Sequence, residues 1–173
     1  MTDDSQPASL DKRQRILLVT GLSGAGKTTV LANSGLQFPL KEKFGLQGVG
    51  GVGGTRNCDW WFTDDAVLID TAGRYTTQDS NVESDRSAWL SFLGLLKKNR
   101  PRRAINGAIV AVSLQELIML SNDERQRHAE TIRSRIQELM TDLNVRFPVY
   151  FLVTKCDLMA GFNEFFESLD QRD

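Results

Sequence analysis

The residues best suited to chemistry close a glycine-bearing run, Gly21-Leu22-Ser23-Gly24-Ala25-Gly26-Lys27-Thr28. The spacing fits G-x-x-x-x-G-K-[ST], the phosphate-binding P-loop. Gly21, Gly24 and Gly26 have no Cβ, so backbone N–H groups from Ser23 through Thr29 can close around phosphate oxygens, Ala25 included. A helix starting at the end of the run adds the positive end of its dipole. Lys27 is expected to reach the outer phosphates and Thr28 to put a hydroxyl on Mg²⁺.

Two further stretches complete this chemistry. Asp70-Thr71-Ala72-Gly73-Arg74 follows a hydrophobic run. There Asp70 would hold Mg²⁺ through its water shell, and the Gly73 N–H could face a γ-phosphate as a second switch. Thr154-Lys155-Cys156-Asp157 ends a later hydrophobic run. In GTPases an [Asn/Thr]-Lys-x-Asp at this place reads the base. The aspartate accepts from two N–H donors on one edge of guanine and the lysine stem packs along the ring, so Asp157, Lys155 and Thr154 are expected at the base. Adenine lacks that donor pair, so such an aspartate can discriminate strongly.

The elements that must position these residues can be read in order. Residues 1–14 form a polar lead-in expected to be disordered, and 15–173 a single domain. Arg15–Thr20 reads as a buried strand, and the helix after the loop should stop near Asn33-Ser34-Gly35. Gly48–Gly54 is so rich in glycine that only a mobile loop suits it. It leads into Thr55 and Arg56 and sits where a first switch is expected, with Thr55 meeting Mg²⁺ and γ-phosphate. Cys58–Thr63 and Ala66–Ile69 read as strands joined by a turn at Asp64-Asp65, and Tyr75–Ser84 as a loop. Asp85–Asn99 is an amphipathic helix whose Trp89, Phe92, Leu93 and Leu96 face a core. The basic residues around Pro101 read as a solvated helix end. Gly107–Val112 is another buried strand, and the capping box Ser121-x-x-Glu124 opens a long helix. His128 lies on that helix among Arg127, Glu130 and Arg133 and is expected at the surface. Pro148–Val153 is the last strand. Strands alternating with helices give an α/β P-loop NTPase fold like the G domain: a mostly parallel sheet with helices on both faces, and one antiparallel edge strand.

Composition narrows the classes. At 173 residues, with 40% hydrophobic and 25% charged residues, the chain is an ordinary globular domain. A net charge of −1 leaves no electrostatic footprint for nucleic acid or anionic lipid. Two cysteines, Cys58 and Cys156, make neither a disulfide framework nor a metal site, which suits a reducing cytosol. No run reaches the ~20 apolar residues of a membrane span, and the polar N-terminus is not a secretory signal. A membrane anchor, if the parent protein has one, lies outside this chain.

Asp70–Arg74 with Thr154–Asp157 resembles the signal-recognition-particle GTPases, although too little chain precedes the first strand for their helical bundle. A closer resemblance is to the N-terminal cytoplasmic domain of the IcmF/TssM family of type VI secretion. It rests on Gly50–Phe62, on Val67–Asp79, and on Arg146–Tyr150 with Thr154–Leu158. It implies a nucleotide-binding domain on the cytoplasmic face of the bacterial inner membrane. The implied partners are TssL, TssJ on the far side of the membrane, and baseplate proteins. The family is usually discussed as binding ATP, whereas Asp157 points to GTP. Two functions stay open: a hydrolysing switch, or a scaffold whose nucleotide shapes a docking surface. Arg74 stands where many GTPases place glutamine, so intrinsic hydrolysis is expected to be slow. Lys27, Thr55, Arg56 and Arg74 are the candidates for catalysis. The sequence ends before a further strand that would carry the last base-contacting loop, so the domain is expected to be truncated at its C-terminal end.

Overall fold

A computed structural model describes residues 14–39, 58–73 and 82–167, with side chains from Arg86 onward in the last segment. β1 (Arg15–Thr20) leads through the glycine run into helix α1 (Lys27–Ala32). β2 (Cys58–Phe62) and β3 (Ala66–Thr71) follow, then helix α2 (Val82–Asn99) and β4 (Gly107–Ser113). Helices α3 (Leu114–Met119) and α4 (Asn122–Leu143) precede β5 (Val149–Thr154). A 3₁₀ turn (Cys156–Leu158) and helix α5 (Phe162–Glu167) come last.

The strands form one sheet in the order β2-β3-β1-β4-β5. β3, β1, β4 and β5 run parallel, with Leu18 beside both Ile69 and Ala108. β2 is the expected antiparallel edge, joined to β3 by a tight turn in which the Thr63 N–H donates to the Ala66 carbonyl at 2.9 Å. The central strand β1 is tied to its neighbours by side chains as well as by its ladder. Asn106 accepts from the Ile16 N–H at 2.9 Å and donates its own N–H to the Ile16 carbonyl at 2.7 Å. At the other end the Thr71 hydroxyl donates to the Val19 carbonyl at 2.9 Å.

Alternation along the strands divides the apolar residues between two faces. Ile16, Leu18, Val67 and Ile69 pack with Trp89, Leu93, Leu96, Leu139 and Leu143, so α2 and α4 cover one face. Val19, Leu68 and Trp61 pack with Leu31 of α1 and with Phe38 on the other. Phe38 meets Trp61 edge to face with ring centroids 5.2 Å apart. Such pairs add about 0.5–1.5 kcal/mol beyond burial alone.

Three local readings change. α2 begins at Val82, three residues before the expected Asp85, so part of the stretch read as loop is helical. A short helix, α3, stands directly after β4 where no element was expected. His128 is buried, not at the surface. It lies on the stripe of α4 that carries Ile132, Arg135, Leu139 and Leu143 at spacings of three and four. Its ring lines an apolar groove of about 530 Å³ between α4 and β5, together with Ile132, Ile136, Phe151 and Val153. Neither ring nitrogen has a hydrogen-bond partner among the described residues.

Burial pushes the His128 pKa below its ordinary 6.5, outweighing the pull of the Glu116 carboxylate. The unfolded chain therefore takes up a proton as pH falls through 6.5 while the folded chain does not. The stability that His128 contributes is complete above that pH and is lost on acidification toward the depressed native value. His128→Leu should flatten this part of the profile. Thermal melts from about pH 8 to pH 5 should show a smaller loss below pH 6.5 in the variant than in the parent, and parallel curves would count against the effect.

Candidate functional site

The glycine run turns where only glycine does so freely. Gly24 and Gly26 both adopt left-handed backbone, at φ 78° and 80°. The loop closes on itself through the Ala25 N–H, which donates to the Leu22 carbonyl at 3.2 Å. α1 then starts at Lys27, and the Val30 N–H reaches back to the Gly26 carbonyl at 2.9 Å.

Lys27 is buried, with 7% of its surface exposed. Its ammonium donates to the Gly21 carbonyl at 3.0 Å and the Leu22 carbonyl at 2.8 Å, so the charge sits inside the curve of the loop. Burial lowers its pKa, and the carboxylates of Asp70 and Glu116 pull the other way. A buried cation must be compensated, and here two carbonyls and two acidic groups do so.

β3 carries Asp70 to the same place. The Thr71–Val19 hydrogen bond fixes the end of β3 against β1, and the Thr28 hydroxyl donates to Asp70 Oδ2 at 2.5 Å. Asp59 lies directly opposite Asp70 on β2, a like-charged cross-strand pair of the kind that destabilises a sheet unless it is compensated. The Thr28 hydroxyl and the Asp70 carboxylate thus lie side by side at the end of the glycine loop.

Gly73 follows at the rim. A Cβ there would stand 2.3 Å from the Ser23 nitrogen and 2.4 Å from the Ser23 Cα, so the two backbones touch. From the other side, β5 delivers Thr154, whose hydroxyl donates to the Ala25 carbonyl at 2.7 Å. The threonine hydroxyl thus braces the loop. Lys155 takes left-handed backbone, φ 56°, and its ammonium meets Glu116 Oε1 at 3.0 Å. Asp157 is exposed on the 3₁₀ turn, and its carbonyl accepts from Asn163 Nδ2 at 3.5 Å.

The fold therefore brings Gly21, Ser23, Ala25, Lys27, Thr28, Asp70, Gly73 and Thr154 together at the ends of β1, β3 and β5. Thr29, on α1, is exposed. Thr55, Arg56 and Arg74, and with them the glycine-rich 48–54 loop, lie outside the described residues. Glu116 was not among the residues singled out by sequence. Its signal is Ser113-x-x-Glu116, the same spacing as the capping box at Ser121. Here Ser113 caps α3 by accepting from the Glu116 N–H at 3.3 Å, while the glutamate side chain turns to Lys155.

The Gly73–Ser23 contact makes a sharp test. Gly73→Ala forces two backbones apart and should destabilise the fold by about 1–3 kcal/mol in chemical denaturation. Gly94→Ala, in α2 with nothing within 4 Å of the added methyl, should instead stabilise it by about 0.5–1 kcal/mol. Equal effects from the two substitutions would remove the close approach as the cause.

Residues 82–173 match the IcmF-related N-terminal domain. Over 156 residues the chain is 58% identical to the type VI secretion system component TssM1 of Pseudomonas aeruginosa, covering 90% of this chain and 14% of that protein. Among solved structures, a bacterial selenocysteine-specific elongation factor aligns over 90% of this chain and 28% of its own, at 11% identity and a TM-score of 0.33, a likeness that bears on neither fold nor function. The family match and the identity to TssM1 together place this chain in the IcmF/TssM family of type VI secretion components, as its N-terminal domain.

Proposed function

We propose that this domain is a nucleoside-triphosphate-binding switch on the cytoplasmic face of the bacterial inner membrane. The observation that carries the reading is the convergence of Lys27, Thr28 and Asp70: a buried ammonium in a glycine loop beside a hydroxyl–carboxylate pair. In this reading the loop N–H groups hold the phosphates and Lys27 exchanges its carbonyl partners for phosphate oxygens. Thr28 and Asp70 hold Mg²⁺, which would neutralise charge on the phosphates. Thr55 joins the metal and Gly73 senses the γ-phosphate. Hydrolysis to the diphosphate is slow in the isolated domain, with positive charge on the transition state supplied by Arg56, Arg74 or a partner. The partners are TssL, TssJ and baseplate proteins, reached through the full-length protein.

A second reading makes the domain a nucleotide-shaped scaffold with little turnover. The residue after Gly73 favours it, because Arg74 stands where a GTPase would position water with glutamine. Turnover of the purified domain, alone and with partners, separates the two readings.

Lys27→Ala should abolish nucleotide binding in calorimetry while leaving the circular dichroism spectrum unchanged, since no other full charge sits inside the described loop. Retained affinity in a folded variant would sink the site.

The base is tested separately. An aspartate that pairs with two guanine donors can favour GTP over ATP by roughly a hundredfold. The exposure of Asp157 should reduce this to a modest GTP preference that Asp157→Asn erases. If ATP competes better than GTP for the parent protein, and the substitution changes neither affinity, Asp157 does not read the base.

A further inference from the structure

Glu116 helps to compensate Lys27, and it also touches two of the elements that carry the site. Its Oε1 accepts from the Lys155 ammonium at 3.0 Å. The same oxygen lies 3.7 Å from where a Cβ on Gly24 would stand, so the carboxylate rests against the glycine loop. Its charge is felt by the Lys27 ammonium inside that loop. It is held there from behind, because Glu116 is on the first turn of α3 and its N–H donates to the buried Ser113. Lys155 for its part is confined by its left-handed backbone and by Thr154, which is fastened to Ala25.

A carboxylate in this position has two opposed effects on a nucleotide. It orders the Lys155 side chain, whose stem would otherwise lose rotamer freedom on packing along a base. It also sets a negative charge beside the place where phosphates would lie, and Lys155 covers that charge. We propose that Glu116 is a positioning residue that couples the phosphate loop to the base-reading strand end. It holds Lys155 ready for a nucleobase and disfavours phosphate groups that arrive without one. The inference rests on the nucleotide reading above and adds a means by which the site would prefer a whole nucleotide to free polyphosphate.

The experiment compares GTP, ATP and inorganic tripolyphosphate by calorimetry with the parent chain, Glu116→Gln, Glu116→Asp, Lys155→Met and the Glu116→Gln/Lys155→Met double variant. Glu116→Gln should weaken the better-bound nucleotide roughly three- to tenfold, the range for a partly exposed charged hydrogen bond. Tripolyphosphate should bind the same variant as tightly as the parent or more tightly. Glu116→Asp should recover part of the nucleotide affinity, and the double variant should bind nucleotide no worse than Lys155→Met alone. A loss of equal factor for nucleotide and tripolyphosphate in Glu116→Gln would make the residue structural and overturn the proposal, as would no change in either. If the parent chain binds none of the three ligands, the nucleotide reading itself fails and this inference falls with it. That result differs from a parent that binds and a Glu116 variant that does not discriminate.

Discussion

A single buried ammonium sets the terms for this domain. Lys27 begins α1 with almost no access to water, and a charge in that position is tolerated only if the chain around it is shaped to compensate it. The loop answers by turning the Gly21 and Leu22 carbonyls inward. That turn needs the left-handed glycines, and the glycines in turn leave a backbone with little stiffness of its own. Rigidity is supplied from outside: Thr154 fastens the loop at Ala25, and the Gly73 backbone presses against Ser23. The strand ends on either side of β1 therefore converge on one loop.

Much of this was legible in the residues. β1, the loop and α1 announce themselves because a short apolar run, spaced glycines and a Lys-Thr pair leave few alternatives. The β2–β3 hairpin was legible from Asp64-Asp65 between two apolar runs, and α4 from its capping box. What escaped reading did so for physical reasons. His128 is flanked in sequence by charged residues, and local composition pointed outward. Only its spacing to Ile132 and Leu139 reveals that it shares their stripe. The start of α2 was hidden because Ser84 is itself a favoured cap residue, which makes Asp85 look like the first helical position, and Val82 and Glu83 add no apolar period. α3 is six residues long, too short for periodicity to register, and the turn of Glu116 toward Lys155 depends on a contact between residues 39 positions apart. Thr71 shows the same limit: its place in Asp-Thr-Ala-Gly was plain, but its hydrogen bond to Val19 emerges only when β1 and β3 are side by side.

The distribution of apolar surface follows from the same architecture. The central strands β1 and β3 are covered on both faces, while β5 at the edge leaves Tyr150, Phe151 and Val153 exposed. Among the described strands only β5 exposes large apolar side chains, and the Thr154–Asp157 motif lies at its end. Thr154 is anchored along one side, by β4 and the glycine loop, whereas Lys27, Thr28 and Asp70 are gripped from several directions.

The hairpin of β2 and β3 has a mechanical side. Because the two strands are antiparallel and joined by a turn of Asp64 and Asp65, Cys58 lies opposite Thr71, and the chain enters β2 at the rim where it leaves β3. The hairpin works as a pair of tongs, with its joint at the far end and both tips beside Asp70. A pull on the segment ahead of Cys58 becomes a shear along the ladder, resisted by five rungs and by the Thr71–Val19 bond to the middle of the sheet. Force applied at one tip is thereby delivered to the other over a single strand spacing, about 5 Å, without having to cross the core.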